Sequence, residues 1–133
     1  MNTMTNTVLE ALEAEHGQMK EWFEHMHQHP ELSMREQETA TYIADIVRRW
    51  GYDVETGIGK HGIVASLTVG ESGKAIGLRA DFDALPIQEV NDLAYRSKVE
   101  GVAHLCGHDA HTTMLLAAGK YLARRRTSTE PCG

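Results

Sequence analysis

Between Val8 and His27, apolar residues at Leu12, Met19, Phe23 and Met26 recur at helical spacing among acids and amides. This pattern predicts a first amphipathic helix, closed by Pro30. A second helix is expected from Ser33, whose hydroxyl can cap free backbone amides while Glu36, three residues on, completes a capping box. Ile43, Ile46, Val47 and Trp50 form its apolar stripe, and Gly51 ends it. Beyond Gly51 the period changes to two. Tyr52, Val54, Thr56 and Ile58 alternate, then Ile63, Ala65, Leu67 and Val69, then Ile76, Leu78 and Ala80, which predicts three strands. The Gly70-Glu71-Ser72-Gly73-Lys74 stretch has turn chemistry, so the second and third strands are expected to pair as an antiparallel hairpin. From Asp81 to Leu105 periodicity is lost, as in a functional loop region. A third helix is expected from Asp109 or Ala110, with Met114, Leu115, Ala118, Tyr121 and Leu122 on one face.

The chain has 133 residues, 41% hydrophobic and 24% charged, which fits one soluble domain or part of a larger one. With 13 basic and 19 acidic residues, net −6, it has no electrostatic footprint for nucleic acid or an anionic membrane. Arg124, Arg125 and Arg126 end the third helix, where positive charge complements the helix dipole. Two cysteines do not make a disulfide framework, so a reducing cytoplasm is the expected location. The segment from Met1 to Thr7 has neither a basic start nor an apolar signal core, and no run is long enough to cross a bilayer.

Candidate chemistry concentrates in Cys106-Gly107-His108-Asp109-Ala110-His111, four potential metal ligands in one short turn ahead of a helix. Thiolate and imidazole suit zinc and similar borderline cations. Cys106 and His108 are two residues apart, and in extended backbone both would project to one side. The alternative is a structural cysteine beside loop histidines. Asp109 suits an N-cap, support of a metal site, or both. His111 could belong to the site or be exposed, and His104 reads as a loop residue. Asp81 closes a predicted strand and Asp83 leads into a proline-fixed turn. These carboxylates could bind metal or orient a ligating histidine, or they could form a structural Asx turn. His25, His27 and His29 precede a proline with no carboxylate or cysteine at ligand spacing, and read as a partly exposed helix end.

Together, His29-Pro30-Glu31-Leu32, the run Leu78 to Pro86, and Cys106-Gly107-His108-Asp109-Ala110-His111-Thr112 closely resemble the amidohydrolase branch of the aminoacylase and glutamate carboxypeptidase metallopeptidase family. That branch includes hippurate hydrolases, N-acyl-L-amino acid amidohydrolases and auxin-conjugate hydrolases. The resemblance runs from about Leu12 to Arg126. It implies an α/β fold: a zinc-peptidase-like catalytic domain with a mixed sheet flanked by helices, interrupted by a lid or dimerisation domain through which full-length relatives form homo-oligomers. It implies two divalent ions, drawn from zinc, manganese, nickel or cobalt, and hydrolysis of N-acyl amino acids or short peptides. Carried over by motif, Cys106 and His108 match metal ligands, and Asp83 matches the aspartate that orients the metal site. Asp81 stands where the wider family has histidine, so it is not carried over as a ligand; with Asp109 and His111 it is a candidate for supporting the ligands. The family's general base is the first of a Glu-Glu pair beyond the third helix, and no such pair follows here.

Residues 1–126 therefore read as the N-terminal part of a metallohydrolase catalytic domain, and residues 127–133 as a tail outside the family pattern. Read one nucleotide earlier, codons for Thr-Ser-Thr-Glu-Pro-Cys-Gly can encode Asp-Val-Asn-Gly-Thr-Val-Arg, the kind of continuation a member would have, so a frameshift near Arg126 is expected, the alternative being a disordered natural terminus. The alternative to a truncated amide hydrolase is a catalytically inactive metal-binding or interaction fragment. Either form is expected to expose apolar surface and to aggregate.

Overall fold

The computed structural model describes residues 3–126. Four helices, α1 (Thr3–Ala14), α2 (His16–Gln28), α3 (Gln37–Arg49) and α4 (His108–Arg126), flank two strands, β1 (Asp53–Ile58) and β2 (Gly62–Ser66). The tail from residue 127, where the frameshift is expected, lies outside the described residues.

The single first helix expected from the apolar spacing is two helices. Glu15 leaves the helical path (φ −93°, ψ 4°) and its carboxylate accepts from Lys120 and Arg124 on α4, each at 2.6 Å. The break therefore comes from a tertiary ion pair, which periodicity does not report. The cap of α3 also comes from farther away than expected. The helix starts at Gln37, after Ser33, and the carboxylate of Glu31 accepts from the backbone N–H and hydroxyl of Thr39 (both 2.6 Å) and from the N–H of Glu38 (3.2 Å). Glu36 turns back instead to accept from the N–H of Met34 at 2.9 Å.

Trp22 and Met26 of α2, Ile43, Ile46 and Val47 of α3, and Leu116 and Ala117 of α4 form the core. Trp22 meets Trp50 edge to face with ring centroids 5.6 Å apart, a favoured aromatic geometry. The inward face of α4 is Asp109, Thr112, Thr113, Leu116, Ala117 and Ala123, and the large residues expected there look outward: Met114 and Leu122 are 56% and 46% exposed. Small side chains let α4 lie close to α2, and the Tyr52 hydroxyl donates to the Gly119 carbonyl at 2.7 Å.

β1 and β2 pair antiparallel from Asp53↔Ser66 to Ile58↔Gly62, with an irregularity between Thr56 and Ile58. A Cβ on Gly62 would lie 2.5 Å from the Ile58 carbonyl oxygen, so only glycine fits that turn. The hairpin expected across Gly70–Lys74 does not form; among the described residues the sheet has these two strands only. The 76–80 segment has the alternation of a strand but no strand neighbour among the described residues, and Ile76 is 91% exposed. Leu67, Leu78 and Phe82 join Leu115 and Leu122 around an open apolar groove of about 450 Å³.

The non-periodic stretch from Asp81 to Leu105 is firmly tied down. The Ala84 N–H donates to the Glu31 carbonyl (2.8 Å), Leu85 and Ala103 exchange a pair of backbone bonds (2.9 and 3.0 Å), and the Lys98 N–H donates to the Gln28 carbonyl (2.9 Å). At its centre, Glu89 is 1% exposed and accepts from the Ser97 N–H at 2.5 Å. Its other oxygen meets Nε2 of His27 at 2.8 Å, while Nδ1 of His27 meets Oδ2 of Asp109, also at 2.8 Å. The helix-end histidines thus divide: His25 and His29 are exposed as expected, but His27 is buried between two carboxylates. Because both partners are acceptors, both ring nitrogens donate and the ring is an imidazolium. Burial pushes the His27 ring down, but bonds to Asp109 and Glu89, with their charges, outweigh it and raise its pKa above the ordinary histidine value. Burial likewise pushes Glu89 up, but the Ser97 N–H and His27 outweigh it and hold its carboxyl below the usual range.

Trp22→Ala is expected to cost about 3–5 kcal/mol by opening a core cavity, read as a lower urea midpoint. The bridge also sets a pH window. A raised histidine stabilises fully below its unfolded value of about 6.5 and loses that contribution as pH rises through its folded value; a depressed carboxylate loses its contribution as pH falls through its own. Unfolding free energy is therefore expected to decline from about pH 6.5 upward, and also below the carboxylate range. In His27→Gln the alkaline decline should flatten. An unchanged alkaline slope in that variant would contradict the charged bridge.

Candidate metal centre

Loop and helix meet at His108. Its Nδ1 donates to Asp83, with Oδ1 at 2.9 Å and the Asp83 carbonyl oxygen at 3.0 Å. The fork fixes the ring plane and leaves Nε2 as the nitrogen with a free lone pair. Asp83 is placed by its own neighbours, since Ala84 and Leu85 are bonded to Glu31 and Ala103. Both side chains are partly exposed, at 24% and 28%.

Cys106 is exposed and carries a free thiol. The short turn expected here is present, though between Cys106 and His108 the backbone is not extended: Gly107 has φ +100°, which favours glycine, and its carbonyl accepts the first helical bond from the His111 N–H at 2.9 Å. Gly107 thus occupies the cap position expected of Asp109, and α4 begins at His108. Asp109 lies inside the first turn, where its negative charge suits the helix dipole, and its carboxylate is turned to His27. His111 is exposed, its ring 6.1 Å from that of His108. Asp81 points elsewhere: its side chain accepts from Arg79 at 2.8 Å, while its carbonyl accepts from the Thr112 hydroxyl at 3.0 Å.

Sequence reasoning missed three residues beside this loop. His27 was set aside with its helix-end neighbours, and nothing in its spacing signals burial. Glu89 stands in a stretch without periodicity, where an acid ordinarily reads as solvated. His104 is 5% exposed, and neither ring nitrogen has a hydrogen-bond partner among the described residues. Burial lowers its pKa, with the charge of Asp109 opposing.

The donors suit a divalent cation. A thiol and an imidazole from one turn, the imidazole backed by a carboxylate through its other nitrogen, form the arrangement in which a metal-binding histidine is usually oriented. Among the described residues, however, no three His, Cys, Asp or Glu side chains come together as a ligand set. No helix among them is long and apolar enough to cross a membrane.

Residues 77–131 match the family described as Peptidase family M20/M25/M40. The chain is 48% identical over 118 residues to the hippurate hydrolase of Campylobacter jejuni, covering 89% of this chain and 30% of that enzyme. It is 41% identical over 105 residues to the N-acyl-L-amino acid amidohydrolase of Geobacillus stearothermophilus, covering 79% of this chain and 28% of the relative. Among solved structures, the Bacillus subtilis YXEP protein, a dinuclear metal binding peptidase from the M20 family, superposes with a TM-score of 0.81 at 37% identity, over 86% of this chain and 32% of that one. The helices and small sheet are therefore part of an α/β fold of that kind, and the chain spans about a third of the length of the relatives it matches. On these matches, the chain belongs to peptidase family M20/M25/M40.

Proposed function

We propose that residues 1–126 are the metal-binding front part of the catalytic domain of an amide hydrolase acting on N-acyl amino acids or short peptides. The observation that carries this reading is the Asp83 fork on Nδ1 of His108, which leaves Nε2 free in the same turn as the Cys106 thiol. Relatives named as a hippurate hydrolase and an N-acyl-L-amino acid amidohydrolase support the substrate class. Cys106 and His108 would hold a divalent cation, one of a pair of zinc, manganese, nickel or cobalt ions, which when bound polarises the scissile carbonyl and acidifies water. Asp83 orients the His108 ring and raises its basicity as a donor. An exposed thiol of this kind suits a reducing compartment, consistent with a cytoplasmic protein.

A second reading concerns the chain by itself: a metal-binding chain without catalysis. It is favoured by the lack of a three-donor cluster among the described residues. The two readings describe the same site with and without further donors.

Zinc titration by calorimetry is expected to show binding that weakens by about 10–100-fold in Asp83→Asn, and at least as much in Cys106→Ser and His108→Ala. Equal affinity in all four proteins would contradict the assignment. The purified chain is expected to release no glycine from N-benzoylglycine with zinc, manganese, nickel or cobalt present. Metal-dependent release, lost in His108→Ala, would show that the chain needs no further donors.

A further inference from the structure

The Glu89–His27–Asp109 bridge adjoins the metal loop through Asp109, the residue after His108. All three side chains are buried: the residues are 1%, 5% and 3% exposed. Burying ions is expensive, and an apolar cluster of the same volume is often the more stable solution. Its connectivity suggests a role beyond stability. We propose that His27 is a positioning residue: held between Glu89 and Asp109, it fixes the first turn of α4 so that His108 keeps its Nδ1 on Asp83 and its Nε2 free.

Two features support this. Asp109 adjoins His108, and the bridge anchors it to α2 and to the 86–98 loop at once, while the Thr113 hydroxyl holds its carbonyl at 2.8 Å. The His27 ring is itself held in place, since Tyr95 meets it edge-on at 5.4 Å and Phe23 packs at 5.7 Å. The bridge thus steadies the His108 side of the pair, as the Glu31 and Ala103 backbone bonds steady the Asp83 side.

The inference rests on His108 being a metal donor, and two separate readouts test it. Long-range proton–nitrogen correlation spectra of the metal-free, nitrogen-15-labelled chain report the His108 tautomer, the signal being assigned by its loss in His108→Ala. The wild type is expected to show a single Nδ1–H form. In His27→Gln the ring nitrogens should shift toward a mixture of tautomers, and zinc affinity should fall at least tenfold; Glu89→Gln should move both in the same direction by less. Spectra are compared at a temperature where each variant is folded by circular dichroism, and if His27→Gln does not fold, Glu89→Gln decides. A lower unfolding midpoint with an unchanged His108 tautomer and unchanged zinc affinity would overturn the proposal, leaving the bridge a stability element. A tautomer that shifts in a protein without zinc binding would uphold positioning and refute the metal reading instead.

Discussion

Three ionisable side chains, Glu89, His27 and Asp109, lie in the interior where apolar packing would be the less costly choice, and much of the structure serves to keep them paired. Removing one partner of such a set leaves a buried charge uncompensated, a loss of about 3–5 kcal/mol. Helix α2 must therefore keep His27 facing inward, α4 must begin where Asp109 can reach it, and the long loop must turn its one buried acid toward His27. That single requirement fixes the relative placement of segments more than eighty residues apart in sequence.

The metal loop is arranged within that frame. The three sequence motifs meet through backbone bonds and one side-chain fork: Glu31 receives the Ala84 N–H, Asp83 receives the His108 ring, and Leu85 pairs with Ala103 just ahead of the cysteine turn. Each contact is local and modest. Together they hold Asp83 and His108 from opposite sides, so that the ring presents one nitrogen without a metal being needed to select it. Glycine at 107 makes the turn possible, because its φ of +100° is one that a side chain would resist.

Much of this was legible in the sequence. The helical stripe of Ile43, Ile46 and Val47, the first two strands though not their pairing, and the cysteine-histidine turn all carry signals that depend on near neighbours. What was not legible depends on distant ones. Glu15 breaks a periodic helix because Lys120 and Arg124 wait across the fold, and Glu31 displaces Ser33 as a cap because the chain doubles back. The inward face of α4 was misread because small residues, rather than the larger Met114 and Leu122, meet α2. The third strand has its alternation but no partner among the described residues, since pattern gives a strand's two faces and not its neighbour. His27 and Glu89 look solvated one at a time; only their proximity makes them a buried pair.

X-ray absorption at the zinc edge of the loaded chain, in a Cys132→Ser background so that one thiol remains, tests the site most directly. Binding through Cys106 and His108 gives one sulfur neighbour at about 2.3 Å and imidazole nitrogen at about 2.0–2.1 Å. A shell of oxygen and nitrogen alone, with no sulfur, would contradict the assignment.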